Sequence, residues 1–252
     1  MSAGQPVQPL VFVLAEFQSV PYRTFIVRTN MLNNLSFFAI QAALFIGSGS
    51  IRSDELSFLI RSKMDIGEFE PITFPEQPGA PVEIPRLHIS TDNGYRFTMS
   101  KARIDIICEW PFGIDAKEEA RFAENIRRLS DILSEKDFIF SRIGVVKSWF
   151  ANQEKAALEI ADLLLKVPSD NVTDVSFAIT KRVQLREFEC NSLFNFSNGV
   201  HQSGAPGAIV VRDVNTIVNE AKQIKCADVE GIFEAFNSEA SSESIVKFAE
   251  GR

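Results

Sequence analysis

The chain contains few aromatic side chains that carry a polar group. Among its 252 residues are 22 phenylalanines, but only two tyrosines and two tryptophans. Phenylalanine mainly fills protein cores, whereas aromatic platforms for single-stranded nucleic acid commonly include tyrosine and tryptophan. The formal net charge is −7. Phosphate backbones attract positively charged proteins, so this negative charge disfavours their binding. Together these features argue against nucleic acid as a partner.

Histidine and cysteine, which serve widely in catalysis and metal binding, are also scarce. The chain has two histidines, His88 and His201, and three widely spaced cysteines. No CxxC pair, HExxH motif, GxSxG turn or glycine-rich phosphate motif occurs in the sequence. We therefore predict no catalytic residue and no cofactor. The cysteine spacing further indicates reduced thiols in a reducing compartment.

Long hydrophobic runs are missing as well. The longest run, 37–46, includes Gln41 and has about half of the roughly 20 residues that a membrane-spanning helix needs. Residues 1–8 lack the charged and apolar blocks of a signal peptide. We expect a soluble, cytoplasmic protein without a membrane partner.

Proline and glycine mark the clearest local structure. Five prolines lie within 68–85, and because proline has no amide hydrogen this stretch is predicted to be an extended loop. After it, apolar and polar residues alternate on both sides of Asp92-Asn93-Gly94, a pattern typical of a tight β-hairpin. The alternation resumes from Ala102 to Cys108. These segments predict a three-stranded β-meander.

Other segments show the spacing of amphipathic helices or buried strands. The clearest helix begins at a capping box formed by Asp115 and Glu118 and continues to Ser134. Further helices are predicted at 30–46, 53–63 and 152–166, and in the remainder of the chain from 212 to 252. Strands are predicted at 9–17, 22–28, 138–149, 175–188, 193–196 and 208–211.

Helices and antiparallel hairpins are mixed here without regular βαβ alternation, which favours the α+β class. We expect mainly antiparallel sheet, with amphipathic helices packed on one face. A change in character near residue 113 suggests two lobes, an N-terminal lobe at 1–113 that contains the meander and a C-terminal lobe at 114–252. One continuous domain is the alternative.

Three short motifs carry a family resemblance. They are, in order, Pro9-Leu10-Val11-Phe12-Val13-Leu14-Ala15-Glu16, Arg142-Ile143-Gly144 and Arg212-Asp213-Val214-Asn215-Thr216. In these motifs and in length the chain resembles an uncharacterised, sporadically distributed family of bacterial proteins, and the resemblance covers most of the chain. It implies a shared architecture. Because that family has no established activity, it implies no catalytic residues.

The polar face of the strand at 175–188 is the best candidate surface. Arg182 and Arg186 are four residues apart and therefore share a side of the sheet. Lys181 and Arg212 are expected to add charge nearby. These four residues are the predicted binding site, suited to phosphates or to an acidic segment of a partner. An ordinary solvated sheet face is the alternative.

Dispersed carboxylates provide a second hypothesis. Asp105, Glu109, Asp115 and Asp213 are the candidates to hold a divalent metal ion. Asp105 and Glu109 share a face but are about 13 Å apart along a strand, too far for one ion unless the strand bends. A hydrated sheet face explains them equally well.

These observations favour a non-enzymatic binding or assembly protein that acts through its sheet and helix surfaces. The expected partner is another protein or further copies of the chain in a homo-oligomer. A metal-dependent hydrolase or nuclease that uses the dispersed carboxylates is the alternative.

Overall fold

The computed structural model describes residues 30–75, 78–111, 113–165, 171–219 and 221–251. The predicted strands at 9–17 and 22–28, and the first of the three motifs, lie outside these residues. The described strands are β1 (Ser36–Ser48), β2 (Ile72–Thr73), β3 (Leu87–Ser90), β4 (Tyr95–Met99), β5 (Arg103–Glu109), β6 (Ile139–Asn152), β7 (Ser176–Leu185), β8 (Phe188–Val200), β9 (Pro206–Thr216) and β10 (Ile224–Lys225).

Together these strands form one antiparallel sheet in the order β2-β3-β4-β5-β1-β6-β9-β8-β7, with β10 paired to β6. The described helices are α1 (Asn30–Asn33), α2 (Ser53–Lys63), α3 (Ala116–Ser134), α4 (Ala156–Ile160), α5 (Cys226–Glu239) and α6 (Ser242–Ala249), and a π-helical segment, Ala161–Leu165, continues α4. The predicted α+β class with mainly antiparallel sheet is therefore confirmed. No helix in the described part of the chain combines the length and hydropathy needed to cross a membrane.

The helices pack on one face of the sheet, as predicted. Val214 of β9 belongs to the apolar cluster that includes residues of α2, α3 and α5. Val210 belongs to a second cluster with α1, α4 and α6. Residues four apart in a strand project to the same side, so the two clusters lie side by side against one sheet face.

The order of elements occurs twice along the chain. Apart from the short strands β2 and β10, a long strand, a helix, a three-stranded meander and a further helix appear as β1, α2, β3–β5 and α3, and again as β6, α4, β7–β9 and α5. In each half the last meander strand returns to pair with the long strand, and β1 pairs with β6 at the centre. Strands from both sides of residue 113 thus belong to a single sheet.

The prediction of a helix at 30–46 is wrong. Only Asn30–Asn33 is helical, and β1 occupies most of the remaining segment. β1 lies between β5 and β6, with Ala42 opposite Ile106 on one side and Val145 on the other. Hydrogen bonding to these two neighbouring strands outweighs the modest helix propensity of alanine and leucine.

The strongest local signals are confirmed. In the hairpin Ile89 lies opposite Phe97, and Gly94 has a φ of 75°. α3 begins and ends where its pattern predicted, and the Asp115 side chain accepts a hydrogen bond from the Glu118 amide at 2.8 Å. α2 and β6 likewise match their predicted segments closely.

The C-terminal half differs from its predictions in extent. The helix predicted at 152–166 begins only at Ala156 and becomes π-helical from Ala161. The strands predicted at 193–196 and 208–211 extend over Phe188–Val200 and Pro206–Thr216, so the predicted helical remainder starts only at Cys226. Polar asparagine and serine positions hide the strand pattern of β8, whereas its pairing with both β7 and β9 stabilises it.

All three cysteines are free, buried thiols. Burial raises the pKa of Cys108 to about 12 and the pKa values of Cys190 and Cys226 to about 11. Because the thiolate is the reactive form, we expect no reaction of the native protein with Ellman's reagent at pH 8 within minutes. After denaturation in guanidinium chloride, three thiols per chain should react. Rapid reaction of one thiol per chain in the native protein would contradict the burial of the cysteines.

Candidate binding surface

Arg212, one of the four basic residues predicted as a surface, is fully buried. Its guanidinium donates hydrogen bonds to the Leu193 carbonyl at 2.6 Å and to the Glu239 carbonyl at 3.0 Å. It also donates to the Ser192 hydroxyl at 3.0 Å and lies 3.3 Å from the Glu239 carboxylate. Burial lowers the pKa of Arg212 to about 10, although the Glu239 charge opposes the shift. Arg212 thus joins β8, β9 and the end of α5.

The other three basic residues lie in different surroundings. The Lys181 ammonium lies 4.7 Å from the centre of the Phe248 ring. Arg182 is the next residue along β7, so it projects from the opposite sheet face, where it lies 3.8 Å from Glu189. Arg186 follows β7 at a turn, with a φ of 53°, and its guanidinium lies against α5. The structure therefore does not bring the four residues into one surface.

The four candidate metal-binding carboxylates each have a neighbour that donates a hydrogen bond. The donors are Gln41 and Arg103 for Asp105, Arg96 and Gln202 for Glu109, the Glu118 amide for Asp115, and Asn215 for Asp213. Among the described residues no three histidine, cysteine, aspartate or glutamate side chains are grouped so that they could hold a metal ion. These carboxylates stabilise local structure through their bonds.

A different surface lies at the β2 edge of the sheet. We call residues 71–75 and 78–85 the proline-rich arm. The Phe74 amide donates to the Arg86 carbonyl at 3.0 Å, and the Ala102 amide donates to the Val82 carbonyl at 3.2 Å. Both ends of the arm are therefore tied to the meander. The prolines restrict the backbone further, so the arm presents its side chains on a constrained support.

Large apolar side chains of the arm face solvent. Ile72, Phe74, Val82 and Ile84 are between 46% and 53% exposed. Single exposed apolar residues are common, but four on one short segment are typical of interaction sites, and we call these four side chains the apolar patch. β2 is also the terminal strand of the sheet, and among the described strands it pairs only with β3. Its outer edge can accept another strand.

Part of this patch forms an apolar groove of about 240 Å³. Six of its eight lining residues are apolar and come from the arm, and the other two are basic residues that flank the β3–β4 hairpin. The lining residues are Phe74, Pro75, Ala80, Pro81, Ile84, Pro85, Arg86 and Lys101.

A larger basic cleft, of about 600 Å³, adjoins the groove. Arg86 and Lys101 line both cavities, and Arg52 and Lys136 add two further positive charges to the cleft. Among the described residues of the lining Glu55 is the one carboxylate, and it pairs with Lys136 at 2.5 Å. Arg52 pairs with Asp54 at 2.6 Å, so two of these four basic side chains have carboxylate partners beside the cleft.

Compared with protein-family models and with curated proteins, the chain matches none. The resemblance to a bacterial family therefore stays a prediction.

The prolines predict the arm only as an extended loop and do not reveal its exposed apolar side chains. One signal was present: Ile72 and Phe74, like Val82 and Ile84, are two residues apart in a segment whose prolines prevent a regular ladder. A second signal was the hairpin itself. Arg86 and Lys101 flank its strands and are brought together when the hairpin closes.

Proposed function

We propose that this protein is a non-enzymatic binding protein that holds an extended segment of another protein against the proline-rich arm. The observation that carries the proposal is the exposure of Ile72, Phe74, Val82 and Ile84 beside the outer edge of β2. A segment that adds to this edge gains main-chain hydrogen bonds, while its alternate side chains contact the apolar patch.

The size of the apolar groove supports a protein segment over a small molecule. Pockets for drug-sized ligands span roughly 300–1,000 Å³, whereas this groove has about 240 Å³. It therefore suits one or two side chains of a longer ligand. The constrained backbone of the arm also reduces the conformational entropy lost when such a ligand binds.

Binding is favoured over metal-dependent hydrolysis because the candidate carboxylates already accept hydrogen bonds from neighbouring groups. We also propose a cytoplasmic location, and the three free, buried thiols support a reducing compartment. The partner in this proposal is a different protein. A second copy of the chain is the competing occupant of the arm.

We expect Ile84→Asp to weaken segment binding about tenfold or more, since a desolvated carboxylate in the groove costs at least ~1.4 kcal/mol. The probe is a fluorescein-labelled peptide of alternating valine and serine, and the readout is fluorescence anisotropy. The control is Val218→Asp, because Val218 is 58% exposed but does not line the groove. It should bind as the wild type does.

Three results would count against the proposal. The first is absence of peptide binding by the wild type, and the second is equal binding by the wild type and the folded Ile84→Asp variant. The third is a dimer, detected by light scattering at micromolar concentration, that dissociates in the Ile84→Asp variant. That dimer would assign the arm to a second copy of the chain.

A further inference from the structure

The outer edge of β7 is suited to pairing with itself. We propose that two copies of this chain associate through this edge as a symmetric dimer, in which the two β7 strands run antiparallel. Thr180 of one copy then lies opposite Thr180 of the other. The dimer forms at the end of the sheet opposite to β2, so the inference goes beyond the proposed function and is independent of it.

The exposure of β7 is the first observation. β7 ends the sheet, and among the described strands it pairs only with β8. None of its ten residues is buried, and Ile179 at its middle is 37% exposed. A long edge strand of this kind presents a row of main-chain groups on which a second strand can form.

The hydrogen bonds to β8 define which residues of β7 are directed outward. The carbonyl of Val175, directly before β7, accepts a hydrogen bond from the Asn198 amide at 3.3 Å. Hydrogen-bonded and non-hydrogen-bonded pairs alternate along an antiparallel ladder. The odd-numbered residues of β7 therefore bond to β8. The even-numbered residues, from Ser176 to Gln184, direct their amides and carbonyls to the outer edge.

The two basic side chains of β7 lie over β8 instead of blocking this edge. The Lys181 ammonium lies 5.5 Å from the ring centre of Phe194 on β8 and 4.7 Å from that of Phe248 on α6. Arg182 lies 3.8 Å from Glu189, which is also on β8. Charged side chains commonly prevent edge strands from pairing, but here their contacts draw both charges toward the interior of the sheet.

Two-fold symmetry leaves few registers for the pairing. Outward-directed residues must pair with outward-directed residues, so the centre of the dimer falls on one residue of β7 that lies opposite itself. Centres at Thr180 and at Lys181 each align all but one residue of β7. A centre at Lys181 places two like charges directly opposite each other, which is destabilising. The centre at Thr180 avoids this repulsion.

The register centred on Thr180 also matches the neighbouring side chains. Lys181 lies opposite Ile179, and Phe177 lies opposite Val183, so no two charges face each other directly. The outward-directed residues of the two strands form about ten main-chain hydrogen bonds, which is the number in a typical protein interface, about ten. The edges are therefore complementary enough for a specific dimer.

This dimer is distinguishable from a dimer through the proline-rich arm. Pairing of the two β7 strands produces a continuous sheet with a β2 edge at each end, so both arms stay accessible. The dimer should therefore persist in the Ile84→Asp variant, in which a dimer through the arm dissociates.

The first test is a proline at the proposed centre. We expect the wild type to be a dimer by light scattering at micromolar concentration. Thr180→Pro should raise the dissociation constant of the dimer about tenfold or more, because the central pair loses its two hydrogen bonds. The Thr180 amide is directed away from β8, so circular dichroism should show an unchanged fold.

Thr73→Pro is the matched control at the other end of the sheet. The Phe74 amide donates to the Arg86 carbonyl, so the Thr73 amide is likewise directed outward. This variant should form the dimer as the wild type does. A monomeric wild type, or equal dissociation constants for the wild type and Thr180→Pro, would show that the β7 edges do not pair.

Single cysteines test the register. Cα atoms of a hydrogen-bonded antiparallel pair are about 5.5 Å apart, within the range of a disulfide. Oxidised Thr180→Cys should therefore run mostly as a covalent dimer on a non-reducing gel. In the matched control, Ala178→Cys, the two cysteines lie about 13 Å apart along the strands and should remain unlinked. The native cysteines are buried and should not contribute.

Either of two gel results would overturn pairing about Thr180. One is equal covalent dimer in the two cysteine variants, which would indicate random collision or a different register. The other is absence of covalent dimer in Thr180→Cys while the wild type is a dimer in solution, which would place the dimer interface elsewhere.

Discussion

Arg212→Met will lower the free energy of unfolding by about 3–5 kcal/mol, the range seen when one partner of a buried ion pair is removed. Methionine fills part of the volume but donates no hydrogen bond. The carbonyl oxygens of Leu193 and Glu239 then each lose a hydrogen bond from the guanidinium. The Glu239 carboxylate also loses its buried counter-charge.

The matched control is Arg182→Met, which removes an arginine whose side chain is 62% exposed on β7. We expect a change within about 0.5 kcal/mol, as for most surface substitutions. Urea denaturation followed by circular dichroism measures both variants. Equal losses, or a small loss for Arg212→Met, would contradict the structural role of the buried guanidinium.

The second large effect is expected at the β3–β4 turn. Gly94→Val should cost more than about 3 kcal/mol, because two penalties combine. Valine resists a positive φ, and Gly94 has a φ of 75°. In addition, a Cβ at this position would collide with the carbonyl oxygen of Glu109 at the end of β5. Relief of that collision requires the hairpin to move away from β5.

Gly204→Val separates the two penalties. Gly204 has a similar φ of 84°, but a Cβ there would meet no atom within 4 Å. Only backbone strain then remains, for which we expect about 1–2 kcal/mol. Thermal unfolding of the two variants gives the comparison. If Gly94→Val is at least as stable as Gly204→Val, the β3–β4 turn does not approach β5 as closely as described.

The parts of the fold that the sequence predicted well have local causes. α3 combines a cap at Asp115 with apolar residues at helical spacing, and the hairpin combines strict alternation with an Asn-Gly turn. Each signal lies within about 20 residues and needs no distant partner. The predicted α+β class followed from these elements.

The parts that could not be predicted depend on distant pairing. β1 has residues such as Ala42 and Ala43 that do not distinguish helix from strand, and it is fixed by β5 and β6, about 65 and 100 residues away in sequence. β8 contains Asn191 and Asn195, which strands disfavour, yet β7 and β9 bond to both of its edges. Such constraints are visible only in the assembled sheet.

The candidate site was missed for a related reason. The sequence pattern assigns four basic residues to one surface, but alternation along β7 separates Lys181 from Arg182, and the packing of α5 and α6 buries Arg212. Conversely, Arg86 and Lys101 lie at the two ends of the β3–β4 hairpin and come together when it closes. The exposure of the arm's side chains depends on which residues pack into the core, and this packing cannot be read from the sequence.

Amide hydrogen exchange with and without the peptide of alternating valine and serine tests segment binding most directly. The Phe74 amide donates toward β3, so the preceding Thr73 amide is directed to the outer edge of β2. Peptide binding should slow exchange at Thr73 and leave exchange on β7 unchanged. If the peptide binds while Thr73 exchanges as fast as before, and the slowed amides lie elsewhere, segment binding at the proline-rich arm is wrong.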